Sequence, residues 1–593
     1  MTRLMFAVAL GAVLSAGAVE YSPSAANGDL TTPGNWTGGA LPGSGDAANV
    51  DGASTPLDAF TLSDDLSVGA IGVTNWSRAV SFDLGGRALS VATAHFTGAG
   101  PMALTNGTLQ TAGKVAVGAS STLVVKKGAS ILFPANVSNG NELSVAGAGA
   151  KLVIDGGLVK APAAQSAWTY GNRLGDWNGK SATLEVRNGG VFEVQAGKSE
   201  LTMLGGSHLV VDNGSTFAIT NATDYTFAFA IGQGGNTIAV TNSAFRFFKL
   251  QFGGSNQMQM DSSDTTITFH NAIVRSTIKE DSGSGLELYE GANYRTVRAR
   301  VRMTGAETDA RFSVNFNSGS DNVVELVDGT HSGRLYFKGG ERNGFRMSNA
   351  TKTGVSYVDL GGISNFVSVC GGTFGQNAAN ALLRFYSGTD ALFEVKERAL
   401  AYVGQWGDNP AMTFSSATNA LIRIDDATIK TLGYLDLSGT VAPGTRFEFA
   451  GAAPQLQLYF WQTVRQTEMA IGAAEAANKN LVPRLRFRLP SEPYANPVVT
   501  TADSWFRVAV NPTAVLEFDF SDCGRSRRTR TYPLIDRIPS LSAETLAALD
   551  ATAALPDGCR LVATKNLTSN NANGTWLLSL VVKGEGGTQI IFR

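Results

Sequence analysis

The chain has 593 residues, 43% of them apolar and 16% charged, with a formal net charge of −2. A balance so near neutral argues against nucleic acid or an anionic membrane as the main partner. The apolar fraction can bury a large core and excludes a disordered chain, and 68 glycines against 18 prolines suit short strands joined by tight turns.

Residues 1–18 read as a signal peptide. Arg3 supplies the positive start, Leu4 to Leu14 the apolar stretch, and Ala16-Gly17-Ala18 the small residues before a cut expected after Ala18. A buried helix is the other reading, but the polar chain that follows offers it no partner helix. No later segment has the ~20 apolar residues of a membrane-spanning helix. The expected location is therefore secreted, extracellular or at the cell surface.

Residues 19–50 read as an N-terminal cap and first strand. The stretch "GNWTGGALPGSGDAANV" (34–50) places Trp36 where it can cover the open end of a stack. Pro42 fixes φ, Gly43 and Gly45 permit left-handed angles, and Asp46 can bond back to the local backbone. The strand is expected to begin at 47–50.

Residues 51–440 repeat one theme. "AKLVIDGGLVK" (150–160), "ATLEVRNGGVFEV" (182–194), "SHLVVDNGSTFAI" (207–219) and "NTIAVTNSAFRFF" (236–248) each alternate, turn at Asn, Asp or Gly, and alternate again. Weaker copies run to "ALIRIDDATIKTL" (420–432). Alternation at period two means one buried face per strand, and a spacing of ~25–30 residues points to a solenoid, a propeller or an array. A propeller wants four strands per unit, and a chain of β-sandwiches wants linkers every ~100 residues. Neither pattern is present. The reading is all-β, a right-handed parallel β-helix whose ends need caps.

Within the repeats, "RLGDWNG" (173–179) and "GQWGDN" (404–409) set Asp176 beside Trp177 and Trp406 near Asp408. Exposed aromatics with polar neighbours stack on sugar rings, so these four are the candidate ligand residues. The plainer reading is that both tryptophans pack between rungs. Asp425-Asp426 is the nearest approach to a carboxylate pair. Neighbours on a strand point to opposite faces, so it reads as a turn. Asp261 and Asp264 read likewise.

Residues 441–593 read as final rungs plus a mixed strand and helix cap. "RQTEMAIGAAEAANKN" (465–480) favours helix, as does "LSAETLAALDATAAL" (541–555) with Ser542 as N-cap. Strands are expected at 484–489, 514–520, 531–536, 559–564 and 575–582. "RSRRTR" (525–530) gathers Arg525, Arg527, Arg528 and Arg530. It reads as a solvated loop or as a contact for an acidic polysaccharide or lipid headgroup. Of the three cysteines, Cys523 and Cys559 are the pair an oxidising compartment would join, leaving Cys370. The four histidines are scattered, so neither a metal site nor a cofactor is expected.

The motif Asn35-Trp36, Pro42-Gly43, Asp46, Val50 resembles the start of exported bacterial proteins with autotransporter-associated β-strand repeats and related passenger-type domains. The "NGG" and "DGG" turns, "TYPLI" (531–535) and the closing "TWLLSLVV" are also similar to theirs. The resemblance implies a secreted or surface-associated solenoid and supplies no catalytic residues. The expected outer-membrane barrel of a conventional autotransporter is not seen after the repeats. Two functions follow as expectations. One is a structural or adhesin-like surface protein presenting loops to polysaccharide or cell-surface glycan. The other is a carbohydrate-active β-helix enzyme, a lyase or glycoside hydrolase, with charged residues converging on consecutive rungs.

Overall fold

The computed structural model describes residues 19–584 except 23, 24, 26, 134–141, 163–171, 177, 195–200, 220–228, 248, 253–259, 262, 263, 277–284, 289–293, 296–299, 309–312, 354, 355, 376–380, 405–409, 416, 432, 433, 437–443, 459–467, 472–483, 502–506, 525, 527 and 567–574. The expected signal peptide lies outside the described residues. The chain forms two compact units, residues 1–312 and 313–593, so the unit boundary falls inside the expected repeat region.

Both units are parallel β-helices. In the first, a rung consists of three strands, as in Thr122–Lys126, Ala129–Leu132 and Glu142–Val145. The next rung, Ala150–Asp155, Leu158–Ala161 and Asn172–Leu174, pairs with it in parallel, strand for strand. Thr122, Lys151, Thr183, His208, Thr237 and Thr266 are successive register partners, giving rungs of 29, 32, 25, 29 and 29 residues. Period-two alternation then stacks like on like inside. Leu123, Leu152, Leu184, Leu209, Ile238 and Ile267 form one buried column. Phe192, Phe217 and Phe245 form part of another, their rings stacked 5.1 and 4.9 Å apart.

The turns explain the repeat theme. Asn188, Asn213, Asn242 and Asn271 each take a left-handed φ of 47–57°, where the Asn side chain tolerates the angle and bonds locally. Asn213 Nδ2 donates to Asn188 Oδ1 at 2.6 Å, and Asn188 Nδ2 donates to Asp155 Oδ1 at 2.6 Å, so successive turns are tied together.

The second unit has shorter early rungs. Val323, Gly344, Phe366, Leu392 and Leu421 are register partners at steps of 21, 22, 26 and 29 residues. Val324, Phe345, Val367, Phe393, Ile422, Phe447, Leu485 and Leu516 make a buried column. A corner is held by buried asparagines. Asn365 Oδ1 accepts from Asn343 N at 2.8 Å, and Asn343 Oδ1 accepts from Asn322 N at 3.1 Å. Side-chain oxygens thus satisfy backbone N–H groups that the corner would otherwise strand.

Trp36 is buried and its Nε1 donates to Leu30 O at 2.9 Å. Its ring lies edge-on to Tyr21 at 5.3 Å, and Tyr21 meets Phe60 at 5.2 Å. Asn35 Nδ2 bonds Asn27 and Asp29, fixing the loop that carries Trp36. Asp46 Oδ2 accepts from Gly43 N at 2.7 Å, and Pro42 is buried. The strand Ala47–Asp51 follows, but Val19–Glu20 already pairs with it in parallel, so the sheet starts earlier than expected.

At the other end the pairing turns antiparallel. Thr575–Val582 pairs with both Arg530–Ile538 and Cys559–Asn566. The helix Ala543–Thr552 begins where expected, Ser542 Oγ accepting from Thr545 N at 3.0 Å. The helix expected over 465–480 is corrected at 468–471, where Glu468–Ile471 is a strand paired in parallel with Arg507–Val510; the rest of that stretch lies outside the described residues. Parallel pairing with Arg507–Val510 in a two-stranded sheet outweighs a helix propensity of a few tenths of a kcal/mol per residue.

Candidate functional site

One outward column of the second unit carries a ladder of charge. Glu325, Arg346, Ser368, Glu394, Arg423, Glu448, Arg486 and Glu517 are successive register partners. Each sits at the middle of its short strand, between two inward apolar residues, which is why it faces out. The signs alternate almost throughout. Arg423 Nε reaches Glu448 Oε1 at 2.9 Å, and Arg486 Nη2 reaches Asp519 Oδ2 at 2.9 Å. Glu448, 8% exposed at its side chain, is also flanked by Arg446 and Arg486. Glu394 meets Lys396 Nζ at 3.0 Å and accepts from Ser368 Oγ at 2.9 Å. Cross-strand pairs of opposite sign stabilise a sheet modestly, each by roughly 0.2–1 kcal/mol.

Asp425 stands apart. It ends the strand Leu421–Asp425 as the register partner of Lys396. Burial first, then the charge of Glu394, pushes its carboxyl pKa up. Glu394 moves the other way, its partial burial outweighed by the bonds of Lys396 and Ser368. The two carboxyls feel each other's charge and are shifted in opposite directions. Asp426 is the turn residue expected, with φ 47° and Oδ1 accepting from Ala453 N at 3.2 Å.

A second feature is a pocket of about 340 Å³ near the C-terminal strands. Cys523, Arg528, Arg530, Lys583 and the half-exposed Phe520 line it. The turn Phe520–Cys523 closes through Cys523 N to Phe520 O at 3.1 Å, and Gly524 leaves it at φ 60°. Arg530 Nη1 donates to Cys523 O and lies 3.4 Å from Tyr532 OH. Tyr532 OH is anchored on Pro490 O at 2.8 Å, and burial raises its pKa to about 12.

The structure sorts the expected residues. Asp176 Oδ1 accepts from Asn178 N at 2.9 Å and Lys180 N at 3.0 Å, the work of a turn. Trp177, Trp406 and Asp408 lie outside the described residues, as do Arg525 and Arg527. Asp264 is at a turn with φ 57°, whereas Asp261 ends the short strand Met260–Asp261, where its neighbour pairing extends the chain. Cys523, Cys559 and Cys370 are thiols. Cys523 is near enough to raise the pKa of Cys559, after burial. Among the described residues, no group of His, Cys, Asp and Glu is arranged to hold a metal ion, and no helix is long and apolar enough to cross a membrane. Sequence reasoning missed Glu394, Glu448, Phe520 and Lys583. Aligning the second-unit strands on their apolar alternation would have exposed the central charge of "LFEVK", "LIRID", "RFEFA" and "RLRFR".

No family model, curated protein or solved structure matches the chain.

Proposed function

We propose that the chain is a secreted or cell-surface β-helical protein of structural or adhesin-like kind, related to passenger-type repeat proteins, whose outer surface contacts glycans. The observation that carries the reading is the outward charge column. Its arginines are spent on neighbouring carboxylates from rung to rung, which stiffens a long face. A stiff neutralised face with a sealed N-terminal end is suited to display. The leader-like residues 1–18 and the cap motif support export. A glycan array with a parallel polysaccharide-turnover screen, on the chain from Val19 onward and with and without calcium, tests it: binding without turnover is expected.

A second reading rests on Asp425 and Glu394. In a carbohydrate-active enzyme Asp425 would hold the proton given to a leaving oxygen, while ionised Glu394 served as base or nucleophile. That reading requires turnover that Asp425→Asn abolishes.

A further inference from the structure

The arginines on the charge column are matched, and the acids next to the C-terminal pocket are matched too. Asp519 is bonded by Arg486 at 2.9 Å, and Asp522 by Arg488 Nε at 2.6 Å. The pocket's own cations are different. Arg528 and Lys583 are exposed and have no carboxylate partner among the described residues. Arg530 spends only Nη1 on Cys523 and Tyr532, leaving its other N–H groups without a partner among the described residues.

We propose that this pocket receives the anionic substituent of an acidic sugar, a uronate carboxylate or a sulfate ester, with the sugar ring against Phe520. The inference rests on the glycan-contact reading above and names its ligand class. Arg528 and Lys583, with no carboxylate partner among the described residues, and Arg530, whose charge also feels Glu492, set three cations around one concavity and make a local positive field. Arg528 and Arg530 offer forked N–H groups suited to carboxylate and sulfate oxygens. A half-exposed aromatic wall adds a face for a sugar ring, which an inorganic ion does not use. The volume lies at the small end of ligand pockets, enough for one sugar unit. Arg530 is preorganised, since Cys523 and the anchored Tyr532 fix its guanidinium.

The test is calorimetric titration of the chain from Val19 onward with galacturonate, galactose 6-sulfate, galactose and inorganic sulfate, for the native protein and for Arg528→Gln/Lys583→Gln. Neither side chain is engaged in the fold, so unchanged melting confirms that the variant is intact. At least one charged sugar should bind about tenfold tighter than galactose and inorganic sulfate, and the variant should lose about tenfold. Which charged sugar binds identifies the source of the anion. Equal binding of galactose, unchanged binding by the variant, or no binding of either charged sugar overturns the inference. If neutral glycans are still held by both proteins, the pocket inference alone fails; if no glycan is held at all, the surface reading fails with it.

Discussion

Lys352 is the register partner of His331, and both are fully buried inside the second unit. Lys352 Nζ donates to Gly333 O at 2.7 Å and lies 5.9 Å from the ring centre of Phe374, the next residue in the column. Burial drives the Lys352 pKa down to about 7. Burial, then the neighbouring Lys352, drives that of His331 well below its ordinary value.

Between pH 7 and about 10 the unfolded chain carries a proton on Lys352 that the folded chain has shed, so stability rises with pH across that window. Below pH 7 the full cost of burying the ammonium is felt, roughly 5 kcal/mol for such a shift. Lys352→Met should raise the melting temperature at pH 7, and its advantage should shrink as pH climbs toward 10. Parallel melting curves for the two proteins from pH 6 to 10 would contradict this.

The buried asparagine corner predicts a second stability effect. Asn343→Ala removes the Oδ1 acceptor of Asn322 N–H and one of two donors to Gly319 O, Asn343 Nδ2 at 2.9 Å, the other being Glu341 N at 2.9 Å. The expected loss is about 1–3 kcal/mol, mostly from the Asn322 N–H that loses its side-chain acceptor. Urea unfolding should show a lower midpoint at unchanged slope.

Trp36 predicts a third. Trp36→Ala uncovers Tyr21, itself packed on Phe60, and the loss should be about 3–5 kcal/mol. An opened solenoid end also exposes unpaired strand edges, so light scattering should report concentration-dependent association that the native chain lacks.

A fourth concerns export. Amino-terminal sequencing of the protein recovered outside the producing cell should begin at Val19. An intact Met1 on exported protein would remove the leader reading.

Much of this fold is legible in the sequence because its signals are local. Alternation, Asn and Asp turns, the Asn35-Trp36 cap and the Ser542 helix start each act over a few residues. What is hidden depends on register. The alternation of Glu394, Arg423 and Glu448 crosses steps of 29 and 25 residues, which no single window contains. Lys352 reads as an ordinary surface lysine, and only its pairing with His331 and Phe374 turns it inward. The strand Glu468–Ile471 reads as helical in the sequence because its partner, Arg507–Val510, is remote. Phe520 and Lys583 are likewise brought to one pocket by antiparallel pairing of distant strands.

The most direct test of the account is the combined glycan-binding and turnover screen on the chain from Val19 onward. Retention of glycan is expected, acidic sugars foremost, with no new reducing ends or unsaturated products. Release of oligosaccharides that Asp425→Asn abolishes would contradict it and make the Glu394–Asp425 face an active site.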